Sequence, residues 1–173
     1  MRKNRGFSLI ELLIVVAIIL IIAAIAIPSL IGAKIAADDG SAVNTLRTIN
    51  TAQIAYASAY PGVGYASTIA ALGPAAASGC STPSSANACL IAWVVSQATT
   101  AASAKSGYYF GMSVLTANGV NVGYTVGGAP ASFNHTGVRG FCSNEDGVLR
   151  YTPARNGPPV TESAACVAYT ALQ

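Results

Sequence analysis

One carboxylate stands alone in the longest apolar stretch of this 173-residue chain. From Phe7 to Ile27 the only ionisable side chain is Glu11, and the only other polar side chain is Ser8. As a helix this stretch would be about 30 Å long, which is the thickness of the hydrocarbon core of a bilayer. A charge in a membrane helix costs about 2.5–3.5 kcal/mol at the bilayer centre and less near its ends, so such residues usually have a function. Glu11 is therefore a candidate for a specific ionic contact; the alternative is a glutamate that only touches lipid headgroups.

Disulfide formation is the second chemistry that the residue types allow. The chain has four cysteines: Cys80, Cys89, Cys142 and Cys166. Four cysteines allow three pairings. A zinc site is disfavoured because the chain has no Cys-x-x-Cys motif and only one histidine.

The other polar residues give weaker indications. His135 lies between Asn134 and Thr136 in a loop-like stretch, which favours a surface position. The run Asn144–Asp146 could offer oxygen ligands to calcium, but it fits a turn between strands equally well and lacks EF-hand spacing. No Ser/His/Asp or Cys/His arrangement is evident. The sequence therefore predicts no catalytic residue, no cofactor and no metal site.

The basic residues are unevenly distributed. Arg2, Lys3 and Arg5 supply three of the nine, and the remaining six balance the six acidic residues. A formally neutral remainder offers no basic field for nucleic acid. A basic cluster before an apolar segment holds the N-terminus in the cytoplasm and sends the remainder outward, where disulfides persist. Residues 1–6 lack the apolar stretch and small-residue cleavage site of an ordinary secretory signal.

One long helix must carry Glu11. The pattern predicts it from about Ser8 to about Ala59, ending before Tyr60-Pro61-Gly62 because a residue that precedes proline avoids helical geometry. The second half carries an apolar stripe with spacings of three and four residues: Val43, Leu46, Ile49, Ala52 and Tyr56. Four polar residues lie off this stripe: Asp38, Asp39, Arg47 and Asn50. At about 75–80 Å, the helix is too long to be buried by a domain of this size.

A sheet is predicted after the helix. Alternating runs over 108–114 and 120–126 flank Asn118-Gly119, which indicates a β-hairpin. A second strand pair is predicted at Val138–Cys142 and Val148–Tyr151. Thr68–Leu72 is compatible with a helical turn, and the apolar run Leu90–Val95 stays unassigned. The predicted fold is α+β, with a long N-terminal helix packed on a roughly four-stranded antiparallel sheet.

The N-terminus resembles a known family. The sequence Gly6-Phe7-Ser8-Leu9-Ile10-Glu11, followed by an unbroken apolar run, is similar to the processing motif of type IV prepilins and of the pseudopilins of type II secretion systems. The resemblance implies a pilin fold, cleavage by a membrane peptidase between Gly6 and Phe7, and N-methylation of Phe7 by the same enzyme. It also implies that Glu11 acts in assembly. Cleavage would expose an amine one helical turn from Glu11, and the two could pair within or between chains.

Pro28 matches the proline in the helix of the family. Proline has no N–H, and its ring clashes with the carbonyl of Ala24, so a kink or local opening is expected at Pro28. The alternative is that Pro28 is the first residue of a new helix. Many bacterial pilins carry a helix-breaking glycine before this proline, but Leu12–Ile27 contains none and the nearest glycine is Gly32.

The favoured disulfides are Cys80–Cys89, which closes a short loop, and Cys142–Cys166, which joins a strand to the C-terminal segment. The second bond resembles the C-terminal disulfide loop of many pilins. The expected organisation is a leader peptide at 1–6, a helix at 7–59 and a globular head at 60–173 with a C-terminal disulfide loop. Within the helix, 7–27 would form the membrane span and filament core, and 28–59 the amphipathic half.

The function implied by the resemblance is that of a structural subunit of a type IV pilus-like extracellular filament. The precursor would reside in the inner membrane. Its partners would be the lipid bilayer before assembly, the prepilin peptidase/methylase, the inner-membrane assembly machinery and identical subunits in the filament. A type II secretion pseudopilin is the alternative; the cysteine loop and length favour the pilus. A membrane-anchored periplasmic enzyme would need paired ionisable groups in a cleft, and a DNA-binding module would need a basic patch.

Overall fold

The structure is a computed structural model that describes residues 7–80 and 82–172. Its longest element is helix α1, Leu9–Ala59. The described residues form two compact units, 7–34 and 35–172. The first unit consists of the N-terminal part of α1. The second contains the remainder of α1, the short helices α2 (Ile69–Leu72), α3 (Trp93–Gln97) and α4 (Ser163–Val167), a 3-10 turn at Ala101–Ser103, and a sheet.

The sheet is antiparallel throughout and its strands follow one another in chain order. Its members are β1 (Tyr108–Ala117), β2 (Val120–Pro130), β3 (Gly140–Asn144), β4 (Arg150–Thr152) and β5 (Thr170–Ala171). The predicted α+β arrangement of a long helix and an antiparallel sheet is confirmed. The structure adds a fifth strand to the roughly four that were predicted, because the two-residue β5 is too short to show an alternating pattern. The third and fourth strands also begin two residues later than predicted.

The hairpin between β1 and β2 turns at Asn118-Gly119, as predicted. Ala117 pairs with Val120, so the turn has two residues. Both have positive φ, 51° at Asn118 and 79° at Gly119, as a type I′ turn requires. Asn and Gly tolerate this region better than other residues, which is why the dipeptide locates the turn.

The core of the second unit lies between α1 and one face of the sheet. Leu46, Ile49, Ala52 and Tyr56 are buried, and Val43 packs against them at the edge. The facing sheet positions are buried too: Tyr108, Phe110, Tyr124, Val126 and Phe141. The predicted stripe on α1 therefore faces the sheet. Burial of one such side chain stabilises the fold by about 1.5–3 kcal/mol, which makes this face the main source of stability.

The buried face of α1 is wider than the apolar stripe. Asn50, which was predicted to lie off the stripe, is 8% exposed. Its Nδ2 donates to Ser143 Oγ at 2.9 Å, and its Oδ1 accepts from Tyr124 Oη at 3.0 Å. Asp39 is also buried, against Tyr108. The prediction failed at these two residues because their polar atoms find partners on the sheet, which removes most of the cost of burial.

The opposite face of β2 is covered by the C-terminal strap, residues 158–162. Gly111 and Gly127 are cross-strand partners, and both leave room for it. A Cβ on Gly127 would lie 2.1 Å from the Val160 carbonyl oxygen, and a Cβ on Gly111 would lie 3.0 Å from Thr161 Cγ2. The Thr161 carbonyl also accepts a hydrogen bond from the Ser113 hydroxyl. Both faces of β2 are consequently buried from Tyr124 to Pro130.

We expect Gly127→Ala to destabilise the head by about 1–3 kcal/mol, because the added methyl group meets backbone atoms that cannot move aside locally. The measurement is urea unfolding of the full chain in detergent with its disulfides intact, followed by the fluorescence of Trp93. Gly62→Ala is the matched control, since nothing lies within 4 Å of a Cβ at Gly62. A Gly127→Ala midpoint equal to that of Gly62→Ala would show that the strap does not pack on β2.

Candidate assembly segment

The first unit presents an apolar surface on all sides. Between Phe7 and Ile31 every large apolar side chain is between 47% and 81% exposed. α1 is long and apolar enough to cross a membrane, and none of its most apolar 18-residue window is buried. A core helix of the same composition would be mostly buried within its own chain. This surface therefore needs lipid or protein partners to leave water.

Glu11 has a defined partner at the start of α1. The Ser8 carbonyl accepts the first helical hydrogen bond from the Leu12 amide at 3.3 Å, so Ser8 is the N-cap. The Ser8 amide donates to Glu11 Oε2 at 3.0 Å. Glu11 is the third helical residue, and a Ser-x-x-Glu sequence with this contact is one half of a capping box. The sequence interpretation missed this role, although the four-residue signature was visible.

Two other predicted features of this segment have different outcomes. The proposed leader 1–6, with Gly6, lies outside the described residues. Phe7 is described, precedes the first residue of α1 and is 81% exposed. Pro28 lies inside α1 and does not begin a new helix. A kink at Pro28 remains a prediction.

Both disulfides are those favoured from the sequence. Cys80 bonds to Cys89, and Cys142 on β3 bonds to Cys166 on α4; each pair has a Cα–Cα distance of 5.8 Å. They close loops with sequence separations of 9 and 24 residues. In the chain-entropy model they stabilise the fold by about 2.7 and 3.5 kcal/mol. Cys142 and Cys166 are fully buried, so the second bond anchors the segment that includes the C-terminal strap.

The loop that follows β3 uses its polar side chains for contacts within the protein. Asp146 accepts two hydrogen bonds from the guanidinium of Arg150, which lowers the pKa of the Asp146 carboxyl. Asn144 Nδ2 donates to Ser163 Oγ at 3.1 Å. Glu145 lies over Gly123, where a Cβ would come within 3.3 Å of its carboxyl group. These three contacts involve three different elements, β4, α4 and β2.

Comparisons with known proteins identify the N-terminal region. Residues 1–27 match the family model described as the prokaryotic N-terminal methylation motif. A segment of 56 residues, 32% of this chain, is 50% identical to the type IV major pilin protein PilA of Myxococcus xanthus and covers 26% of it. A segment of 39 residues, 22% of this chain, is 59% identical to the type IV wide pilus major component PilA4 of Thermus thermophilus and covers 30% of it. No solved structure matches the chain.

The N-terminal segment belongs to the type IV pilin family. The matched segments span less than a third of either pilin. Residues 7–27, within the range of the family model, contain the features that give the N-terminal segment its chemistry: the apolar run, the capping contact between Ser8 and Glu11, and Phe7 just before α1.

The capping contact predicts a difference between two substitutions of Glu11. Glu11→Ala removes the acceptor, whereas Glu11→Gln keeps an oxygen at the same position. We expect the Ser8 amide to exchange its hydrogen about fivefold faster in Glu11→Ala than in the wild type, in line with about 1 kcal/mol for a lost cap, and at close to the wild-type rate in Glu11→Gln. The measurement is amide exchange by NMR on the full chain in detergent micelles. Equal exchange in all three proteins would contradict the cap.

Proposed function

We propose that this chain is the structural subunit of a type IV pilus-like filament, made as a membrane-inserted precursor and cut between Gly6 and Phe7. The observation that carries the proposal is the apolar surface of Phe7–Ile31, which is exposed on every side in a segment that belongs to the pilin family. Before assembly the partner of this surface would be the lipid bilayer. Afterwards it would be the same segment of other copies, in a filament outside the inner membrane.

The energetics support assembly through this segment. It carries 17 large apolar side chains, each at least 47% exposed. Full burial of one Leu, Ile, Val or Phe side chain is worth about 1.5–3 kcal/mol. Association costs about 4–15 kcal/mol in lost translational and rotational freedom. Even partial burial of such a segment among identical helices would therefore exceed the cost of joining a filament.

Glu11 would provide a specific ionic contact between subunits, whereas apolar contacts alone do not fix their relative position. Cleavage before Phe7 exposes an amine next to the start of α1, close in sequence to the carboxylate. Since the Ser8 amide already engages one oxygen of Glu11, the other oxygen is available to an amine of the same or a neighbouring chain. A pairing between chains would fix the axial register of neighbouring helices. The prepilin peptidase/methylase would supply cleavage and the methyl group, and inner-membrane machinery would extract the subunit.

A pilus is favoured over a secretion pseudopilus. The two relatives are a type IV major pilin and a wide pilus major component. The buried bond Cys142–Cys166 also resembles the C-terminal disulfide loop of many pilins. A pseudopilin remains the second candidate because it shares the N-terminal motif.

We expect the subunit isolated from sheared extracellular material to begin with N-methylated Phe7. The mass should be that of the chain cut between Gly6 and Phe7, with one added methyl group and two disulfides. Intact mass spectrometry, followed by sequencing of the N-terminal peptide, measures this. A subunit that retains Met1, or that begins near Ala36, would contradict the proposal.

We expect Glu11→Ala to be inserted, cleaved and disulfide-bonded, but to give few or no filaments. The variant leaves the Phe7 amine without a counter-charge in a water-poor core, and loss of one partner of a buried pair costs about 3–5 kcal/mol. Electron microscopy of sheared material, from cells without a wild-type copy, gives the yield.

Glu11→Gln separates charge from capping in the same assay. It keeps the acceptor for the Ser8 amide and loses the charge, so we expect it to fail as Glu11→Ala does. Normal filaments from Glu11→Gln alone would contradict the ion pair and leave the cap as the required feature. Normal filaments from Glu11→Ala would contradict both.

A further inference from the structure

A buried carboxylate that the pilin motif does not include joins α1 to the sheet. Asp39 on α1 is 9% exposed, and its Oδ1 lies 2.6 Å from the hydroxyl oxygen of Tyr108 at the start of β1. The Tyr108 hydroxyl also lies 2.9 Å from the main-chain carbonyl oxygen of Arg139. Gly137 leaves space for this hydroxyl, since a Cβ there would come within 2.3 Å of it. The three groups form one linear set of contacts, named here the Asp39–Tyr108–Arg139 latch.

The latch contains more acceptors than hydrogens when Asp39 is ionised. A phenol has one hydrogen, and it faces two acceptors, the Asp39 carboxylate and the Arg139 carbonyl. Only one of them can receive it, so the other contact places two oxygen lone pairs against each other in a buried site. A proton on Asp39 removes the conflict, because the carboxylic acid donates to Tyr108 and Tyr108 donates to the Arg139 carbonyl. The neutral acid is thus the form that satisfies both distances.

The charged groups around Asp39 act in both directions. Burial raises the pKa of the Asp39 carboxyl above its ordinary value, the Tyr108 hydrogen bond and Arg139 lower it, and Asp38 raises it; the net direction is upward. Arg139 Nε is 3.7 Å from Asp39 Oδ2, and the Arg139 side chain is 53% exposed, so solvent screens this pair. Arg47 lines the same groove as Asp39 and Arg139. Lys105, which precedes β1, binds the hydroxyls of Ser41 and Thr45.

We propose that the Asp39–Tyr108–Arg139 latch is a proton-dependent contact that holds α1 to the sheet more firmly in acidic surroundings than in neutral ones. Asp39 binds its proton more tightly in the folded protein than in the unfolded chain. Its contribution to stability is therefore complete at a pH below the carboxyl pKa in the unfolded chain, about 3.8. This contribution is lost as the pH rises through the carboxyl pKa in the folded protein. Across this pH range, the folding equilibrium constant falls tenfold for each pH unit that separates the folded and unfolded pKa of Asp39.

The test compares the unfolding of the wild type with that of Asp39→Asn between pH 4 and 7, on the full chain in detergent with both disulfides intact. The asparagine side chain of this variant imitates the protonated acid, because its amide donates to Tyr108 while Tyr108 donates to the Arg139 carbonyl. We expect the free energy of unfolding of the wild type to fall with rising pH. In Asp39→Asn most of this pH dependence should be absent, and the variant should be at least as stable as the wild type at pH 7.

Two controls isolate the latch. Asp38→Asn removes the same charge from the adjacent position and should keep the wild-type slope, with its midpoint moved to lower pH because Asp38 raises the pKa of Asp39. His135→Gln removes the single histidine of the chain and is compared in the same way. An Asp39→Asn protein that retains the wild-type slope would overturn the proposal.

A direct titration makes the outcome independent of any variant. In the wild type, the ¹³Cγ chemical shift of Asp39, followed by NMR in micelles, should give a protonation midpoint above 3.8, the ordinary value. A midpoint at or below this value would also overturn the proposal.

Discussion

The need to keep the first half of α1 out of water constrains the whole protein. The side chains from Phe7 to Ile31 are exposed on every side, so the segment needs lipid or other copies of itself. In the proposed assembly, such a chain passes from lipid to protein partners while its second unit stays folded. The second unit has a core of its own, which lies between the second half of α1 and the sheet, and two disulfides close its loops.

Within the head, stability depends on a sheet that is covered on both faces. One face of β2 meets α1, and the other meets the C-terminal strap, where Gly111 and Gly127 allow the chain to approach the sheet backbone. The Cys142–Cys166 bond lies beside this contact. Because the disulfide limits the freedom of the unfolded C-terminal segment, it makes the packing of the strap less costly in entropy. Packing and covalent constraint thus act on the same segment.

Two acidic residues on α1 have carboxyl groups in different environments. Glu11 lies in the first helical turn, where its carboxylate satisfies an amide that has no helical partner, and where it remains close to the amine that cleavage would expose. Asp39 is enclosed by Tyr108 and Arg139, and burial raises the pKa of its carboxyl above the ordinary value. The first carboxylate is suited to a contact with another charge. The second is suited to a response to protons.

The sequence by itself determined the features that depend on local pattern. The length of α1, its end at Ala59 and the turn at Asn118-Gly119 follow from periodicity, proline geometry and the conformational freedom of Asn and Gly. The family likeness of the first residues follows from the motif around Glu11. Tertiary structure alone decided which polar residues are buried, because Asn50 and Asp39 are acceptable there only through partners 93 and 69 positions away. It also decided that a strap covers Gly127, since a glycine in a strand does not reveal which distant segment will pack against it.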